Sequence, residues 1–194
     1  ATTTVYVTHD QGEALGTADR VVLLRAGRVV QVAAPRELYT RPGSAFAARA
    51  GGPASLLTVP VLGPATGTGP AAGPGAADGA RGARVRVFGA DAEVPAAPGV
   101  GRSALLVLRP HEILLRPPPP AAAPHAEARG AVGLVTETRY AGAHTGHVVE
   151  TEQGMVTAAV PAGPGAREWR PGAAVRVALH PGAGWLLSAA EPDL

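Results

Sequence analysis

Residues 84–89, RVRVFG, alternate in character, so that Val85 and Val87 fall on one face of an extended chain and Arg84 and Arg86 on the other. That alternation is the mark of a strand with one face packed and one face wet. The same reading extends in both directions. Short runs rich in β-branched and aliphatic residues occur at 56–61, 104–108, 113–115, 132–139, 146–150, 155–160, 174–179 and 185–188, separated by turn-forming residues. Many short strands at this spacing predict a small barrel or sandwich, and a mainly β fold class. Two stretches interrupt the series: GPATGTGPAAGPGAADGARG (63–82) and RPPPPAAAPHAEARG (116–130). Neither can bury apolar surface, so both are expected as loops, the second in part polyproline II.

Upstream of residue 51 the pattern changes. Val5, Tyr6 and Val7, within 3–8, read as the end of a buried strand, because β-branched and aromatic residues suit a pleated surface. His9 follows at its carboxyl end, where open α/β sheets place ligand-contacting groups. Asp10 then offers a helix cap, with Glu13 three positions on as in a capping box, and Gln11 within the same turn. Residues 20–24 and 28–32 flank Ala26-Gly27 and predict a hairpin. Pro35 opens a short helix over 35–39 that Arg41-Pro42 stops, and 44–50 is a further helical segment before Gly51-Gly52-Pro53.

The composition narrows the function classes. A formal charge of +2 over 194 residues, with 4% aromatic residues, does not fit a nucleic-acid binder despite a pI near 9.7. No cluster of aromatic and Arg residues is available to stack bases. With no Cys there are no disulfides or thiolate metal sites. No apolar run approaches the roughly 20 residues that span a bilayer. His144 and His147 resemble a metal pair, but no carboxylate cluster accompanies them, and no metal is expected. Arg109 in RPHE reads as an anion contact or, more often for such a residue, as a strand-end structural residue or an interdomain ion pair. Tyr140, two positions before Gly142, reads as a packed aromatic beside a turn. His9, taken alone, reads as a hydrogen-bonded structural residue.

The ordered series of motifs changes that last reading. TTTVYVTHDQGEALGTADRVVLLRAGRVVQVAAPRELYTRPGSAFAARAGG (2–52) resembles the end of the nucleotide-binding domain of ABC importer ATPases, in which the THDQ-x-EA turn, the ADR strand, the AGR hairpin and the P-x-E-L-Y-x-R-P segment recur in this order. The strand-rich remainder resembles the transport-associated OB-type domain of the same subunits, its better-marked segments being LRPHEILL (108–115) and GLVTETRYAGAHTGHVVETEQG (133–154). The resemblance implies a truncated α/β remnant over 1–50 followed by an OB-type small barrel over 51–194. It also implies that His9 is the switch histidine, contacting the ATP γ-phosphate and holding the attacking water. The implied cofactors are ATP and magnesium in the full-length subunit. The implied partners are a second ATP-binding subunit, membrane-spanning permease subunits and, indirectly, a solute-binding protein, at the cytoplasmic face of the cell membrane.

The family's P-loop, magnesium-binding Asp-Glu strand and LSGGQ-like signature have no counterpart in the sequence. The chain therefore reads as a C-terminal piece of such a subunit, expected neither to bind ATP tightly nor to hydrolyse it alone. YAGAHT (140–145) is closer to spermidine/putrescine, iron(III) and sulfate type subunits than to the maltose type. The alternative reading is a stand-alone OB-type module that binds a small anion. A purely structural dimerisation domain is compatible with the first reading.

Overall fold

The computed structural model describes residues 2–65, 82–118 and 130–189, and the chain divides into an N-terminal unit through Pro53 and a larger unit from Ala54.

In the N-terminal unit, α1 (Gln11–Thr17) leads to the hairpin β1 (Val21–Arg25) and β2 (Arg28–Ala33), then α2 (Pro35–Thr40) and α3 (Ala45–Ala50). The hairpin turns on Ala26 and Gly27 with φ of 48° and 75°, the pair of positive angles that matches the right-handed twist of the flanking strands. Its inner face carries Val21, Leu23 and Ala33, which pack with Leu15, Leu38 and Ala47. Its outer face leaves Val22, Leu24, Val29 and Val32 exposed. Pro35 opens α2, and Ser44 Oγ accepts from the Ala47 N–H at 3.1 Å to cap α3. Gln31 ties the hairpin to the segment after α2, accepting from Gly43 N–H at 2.8 Å.

The expected strand over 3–8 is not formed. Val5, Tyr6 and Val7 are exposed and lie outside regular structure. A strand is held by a neighbour's N–H and C=O groups, and among the described residues none is paired with 2–8.

The C-terminal unit is mainly β and OB-like, as expected. Its strands are β3 (Ser55–Pro64), β4 (Gly82–Val87), β5 (Ala90–Pro95), β6 (Ser103–Leu108), β7 (Ile113–Arg116), β8 (Ala131–Tyr140), β9 (His144–Thr151), β10 (Gly154–Pro161), β11 (Ala174–Leu179) and β12 (Trp185–Ser188). They form two open five-stranded sheets, ordered β10-β9-β8-β11-β7 and β12-β6-β3-β4-β5. The inward residues of both make one core, including Val59, Val85, Phe88, Leu106, Leu108, Val135, Val149, Val156 and Leu186. Thr157 N–H donates to Ser55 Oγ at 2.9 Å and Phe88 N–H to Gln153 Oε1 at 2.6 Å, stitching one sheet to the other.

In β4 the alternation holds, with Val85 and Val87 buried and Arg86 exposed in an ion pair with Asp91 at 2.7 Å. The sequence reading lacked β5: its Ala, Asp and Glu are poor strand formers, yet it pairs with β4 over its full length across the Phe88-Gly89 turn. The greater part of the two expected loops, 66–81 and 119–129, lies outside the described residues; Gly63 and Pro64 belong to β3, Gly82 to β4 and Arg116 to β7.

The pairing of β8 with β9 leaves no room for a side chain at Gly133. A Cβ on Gly133 would sit 2.6 Å from Val149 Cγ1 and 2.9 Å from the Glu150 carbonyl oxygen. Gly133→Ala is therefore expected to lower stability by about 1–3 kcal/mol, the range for overpacking a core. Gly146→Ala, whose Cβ would meet nothing closer than Arg139 O at 3.7 Å, is expected to be neutral or mildly stabilising. Urea unfolding of the two variants checks the contrast.

Candidate functional site

His9 sits on a bend immediately before α1, and the hydrogen bonds of its neighbours fix that bend. Asp10 caps α1, its Oδ1 accepting from Glu13 N–H at 2.9 Å. The reciprocal half of the expected capping box is replaced. Asp10 N–H donates to Thr8 Oγ1 at 3.0 Å, and the Glu13 carboxylate instead accepts from the hydroxyls of Thr8 at 2.7 Å and Tyr6 at 3.0 Å. A short hydroxyl two residues before the N-cap competes better for that N–H than a carboxylate reaching back from the first turn. All four bonds go to residues flanking His9, which leaves its side chain exposed to solvent.

The other residues singled out in the sequence lie in the C-terminal unit. Arg109 is buried and precedes the 3-10 turn Pro110–Glu112. Its N–H donates to Glu112 Oε2 at 2.7 Å, while Glu112 Oε1 accepts from Gly184 N–H at 3.1 Å and the Glu112 carbonyl from His180 N–H at 2.9 Å. RPHE is thus a knot that holds the segment joining β11 to β12. Tyr140 is 72% exposed rather than packed: it lies at the tip of the β8–β9 hairpin, past the core, beside Gly142 at φ 72°. His144 and His147 are three apart on β9 and so face opposite sides of the sheet; His144 is exposed and His147 fully buried.

His147 was read from the sequence only as half of a metal pair. Its Nδ1 lies 3.1 Å from Thr138 Oγ1, and that hydroxyl donates to the Trp169 carbonyl at 2.7 Å. Burial holds the His147 pKa below the usual 6.5, against the opposing pull of Glu168 and of the Trp169 backbone. Elsewhere in this unit a cleft of about 230 Å³ is walled by Phe88, Asp91, Glu93, Leu179 and His180, and its carboxylates make it a poor seat for an anion.

Comparison with known proteins finds relatives across most of the chain. The TOBE domain profile matches residues 106–187. An Fe(3+) ions import ATP-binding protein, FbpC of Rhizobium etli, is 35% identical over 79% of this chain and 37% of its own length. The spermidine/putrescine import ATP-binding protein PotA of Acidothermus cellulolyticus is 37% identical over 86% of this chain and 42% of its own. The chain carries a TOBE domain and is homologous to ABC importer ATP-binding subunits. It spans about two fifths of the length of these curated relatives. An alpha-glucoside transport ATP-binding protein, AglK of Rhizobium meliloti, is 52% identical over a shorter stretch, 34% of this chain and 18% of its own. A solved structure of the cytoplasmic molybdate-binding protein ModG, with molybdate bound, superposes with a TM-score of 0.46 at 12% identity, over 68% of this chain and 94% of that one. Among the described residues no helix is long and apolar enough to cross a membrane.

Proposed function

We propose that these 194 residues work as the C-terminal portion of the ATP-binding subunit of an ABC importer. Residues 1–50 end its nucleotide-binding domain and supply His9 as the switch histidine; residues 51–194 are its accessory regulatory and dimerisation domain. The observation that carries the reading is the homology to ATP-binding subunits across most of the chain. The bend at His9 supports it, because a side chain that is exposed, makes no hydrogen bond among the described residues and is held on a fixed turn can donate a ring N–H to a phosphate oxygen. ATP with magnesium supplies the phosphoryl group when bound. The contribution of this chain is to hold one phosphate oxygen and the attacking water in place, which is the kind of positioning on which phosphoryl transfer depends.

The partners on this reading are a second ATP-binding subunit, the permease subunits in the membrane and, through them, a solute-binding protein. The subunit works at the cytoplasmic face. The chain is similar to proteins named for Fe(3+), spermidine/putrescine and alpha-glucoside transport, a metal cation, organic polycations and a neutral glycoside, so the similarity selects no single solute. The small-anion alternative draws no support from the acidic cleft.

The test has a genetic and a biochemical arm. The DNA directly upstream of the codon for Ala1 is expected to encode, in frame, a P-loop and a signature segment. The purified 194-residue chain is expected to show no magnesium-dependent ATP hydrolysis. Turnover by that chain alone, abolished by His9→Ala, overturns the proposal.

A further inference from the structure

The pair formed by the exposed Thr138 and the fully buried His147 belongs to a structure that the importer reading leaves unexplained. The two residues are direct cross-strand partners on β8 and β9. Beyond β10, residues 162–173 return along β8. They are fastened to it by Gly172 N–H donating to the Val135 carbonyl at 2.8 Å, by Val135 N–H donating to the Ala173 carbonyl at 3.0 Å, and by the Thr138 hydroxyl donating to the Trp169 carbonyl at 2.7 Å. Trp169 is buried, with the Arg167 guanidinium stacked 4.6 Å above its ring. A hydroxyl has one proton, and that of Thr138 is spent on Trp169. Its contact with His147 Nδ1 therefore requires the imidazole to donate, which assigns the neutral Nδ1–H tautomer and leaves Nε2 as a bare lone pair. Nε2 is buried and, among the described residues, has no hydrogen-bond partner.

We infer that residues 162–173 form an acid-released strap on the TOBE domain, in which a proton added at His147 Nε2 undoes the clasp between Thr138 and Trp169. At Nε2 that proton would be buried with no acceptor among the described residues. An unpaired buried cation costs far more than an unpaired neutral group, so the protein sheds the burial instead.

The charged groups around His147 do not remove the penalty. On β8, Glu137 and Arg139 flank Thr138 and point to the opposite face, as do His144 and Glu150 on β9 itself. β10 carries Ala158 opposite His147 and has no titratable residue, and neither has β3. The 3-10 turn that packs on β10 brings Arg109, His111 and Glu112, the last already engaged by two N–H groups, and β7 brings Arg116. The strap itself carries Arg167, Glu168 and Arg170; Glu168 favours the charged ring, but burial outweighs it.

The sign follows from linkage. With the strap closed, His147 binds its proton less readily than an open, hydrated imidazole does. The closed form therefore holds fully above the usual pKa of 6.5 and weakens as the pH falls below it. The open fraction rises up to about tenfold per pH unit until the closed-state pKa is passed.

The test uses the whole chain carrying Trp185→Phe, so that Trp169 alone reports. Acrylamide quenching and a red shift of Trp169 emission are expected to grow between pH 7 and pH 5 while the far-ultraviolet circular dichroism of the sheets persists. His147→Asn keeps a donor in the place of Nδ1–H and cannot be protonated, and it is expected to flatten the response. The same pH dependence in His147→Asn overturns the inference. If that variant does not fold, nitrogen-15 spectra of the wild-type imidazole decide: an Nδ1–H tautomer titrating below 6.5 supports the strap, and an Nε2–H tautomer or a pKa at or above 6.5 overturns it.

Discussion

ATP turnover of the full-length subunit is expected to fall about 10²–10³-fold when His9 is replaced by alanine, the loss seen when one preorganised donor to a transition-state oxygen is removed. ATP affinity is expected to stay nearly unchanged. A group that holds the γ-phosphate oxygen and the attacking water acts mainly on the transition state, so its loss appears in kcat rather than in ground-state binding. The structure makes the experiment clean. The bonds that set the bend run between Tyr6, Thr8, Asp10 and Glu13, and the imidazole is exposed, so its removal leaves the cap of α1 in place. Asp10→Ala is the contrasting variant, because it removes the cap and lets the bend move. Steady-state hydrolysis and equilibrium nucleotide binding on the same preparations separate the two effects. A turnover rate unchanged in His9→Ala would remove the role proposed for that residue.

Where the sequence was a sufficient guide, the determinants were local. Asp10 and Ser44 cap the helices they precede, Pro35 opens α2, and Ala26-Gly27 makes the hairpin turn, because each choice is settled within four residues. The strands of the C-terminal unit were legible for a related reason: two packed sheets need one apolar face on every strand, and Val85 and Val87 show it. The readings that failed depended on what lies across the ladder. Val5, Tyr6 and Val7 have strand chemistry but, among the described residues, no strand paired with them, whereas Ala90–Pro95 has little strand chemistry and a complete partner in β4. Tyr140 was expected to pack because an aromatic beside a turn commonly does, but the hairpin carries it past the core.

The site was legible only in part. The chemistry of His9 came from its neighbours in an ordered series of motifs, since a single histidine carries no such information. The setting of His147 was accessible in principle. Counting back from the Gly142 turn places Thr138 opposite it, although the course of the strap over it depends on contacts such as Thr138–Trp169, 31 residues apart, which spacing does not encode.

The largest difference in local stability is expected between the two units. The N-terminal unit buries little, its core cluster being Ala33, Leu38 and Ala47. The outer face of its hairpin exposes Val22, Leu24, Val29 and Val32, and the preceding segment exposes Val5, Tyr6 and Val7. On the proposed function, the upstream part of the subunit would cover these residues. In the 194-residue chain these apolar side chains stay exposed and the hairpin keeps open strand edges, a condition that favours local unfolding or self-association. The C-terminal unit instead closes two five-stranded sheets on a shared core. Amides of Ser103–Leu108 and Ala131–Tyr140 are therefore expected to exchange at least about a thousandfold more slowly than those of Val21–Arg25 and Arg28–Ala33, a gap of about 4 kcal/mol in opening free energy. Hydrogen exchange by mass spectrometry, run at several protein concentrations, distinguishes opening from association: rapid exchange that slows as concentration rises identifies contacts between copies through the apolar face. Equal protection of both units in a chain that sediments as a monomer would contradict the reading of residues 1–50 as the end of a larger nucleotide-binding domain. The apolar outer face of the hairpin would then be the surface of a self-sufficient domain, whose stability would have to come from α1, α2 and α3 alone.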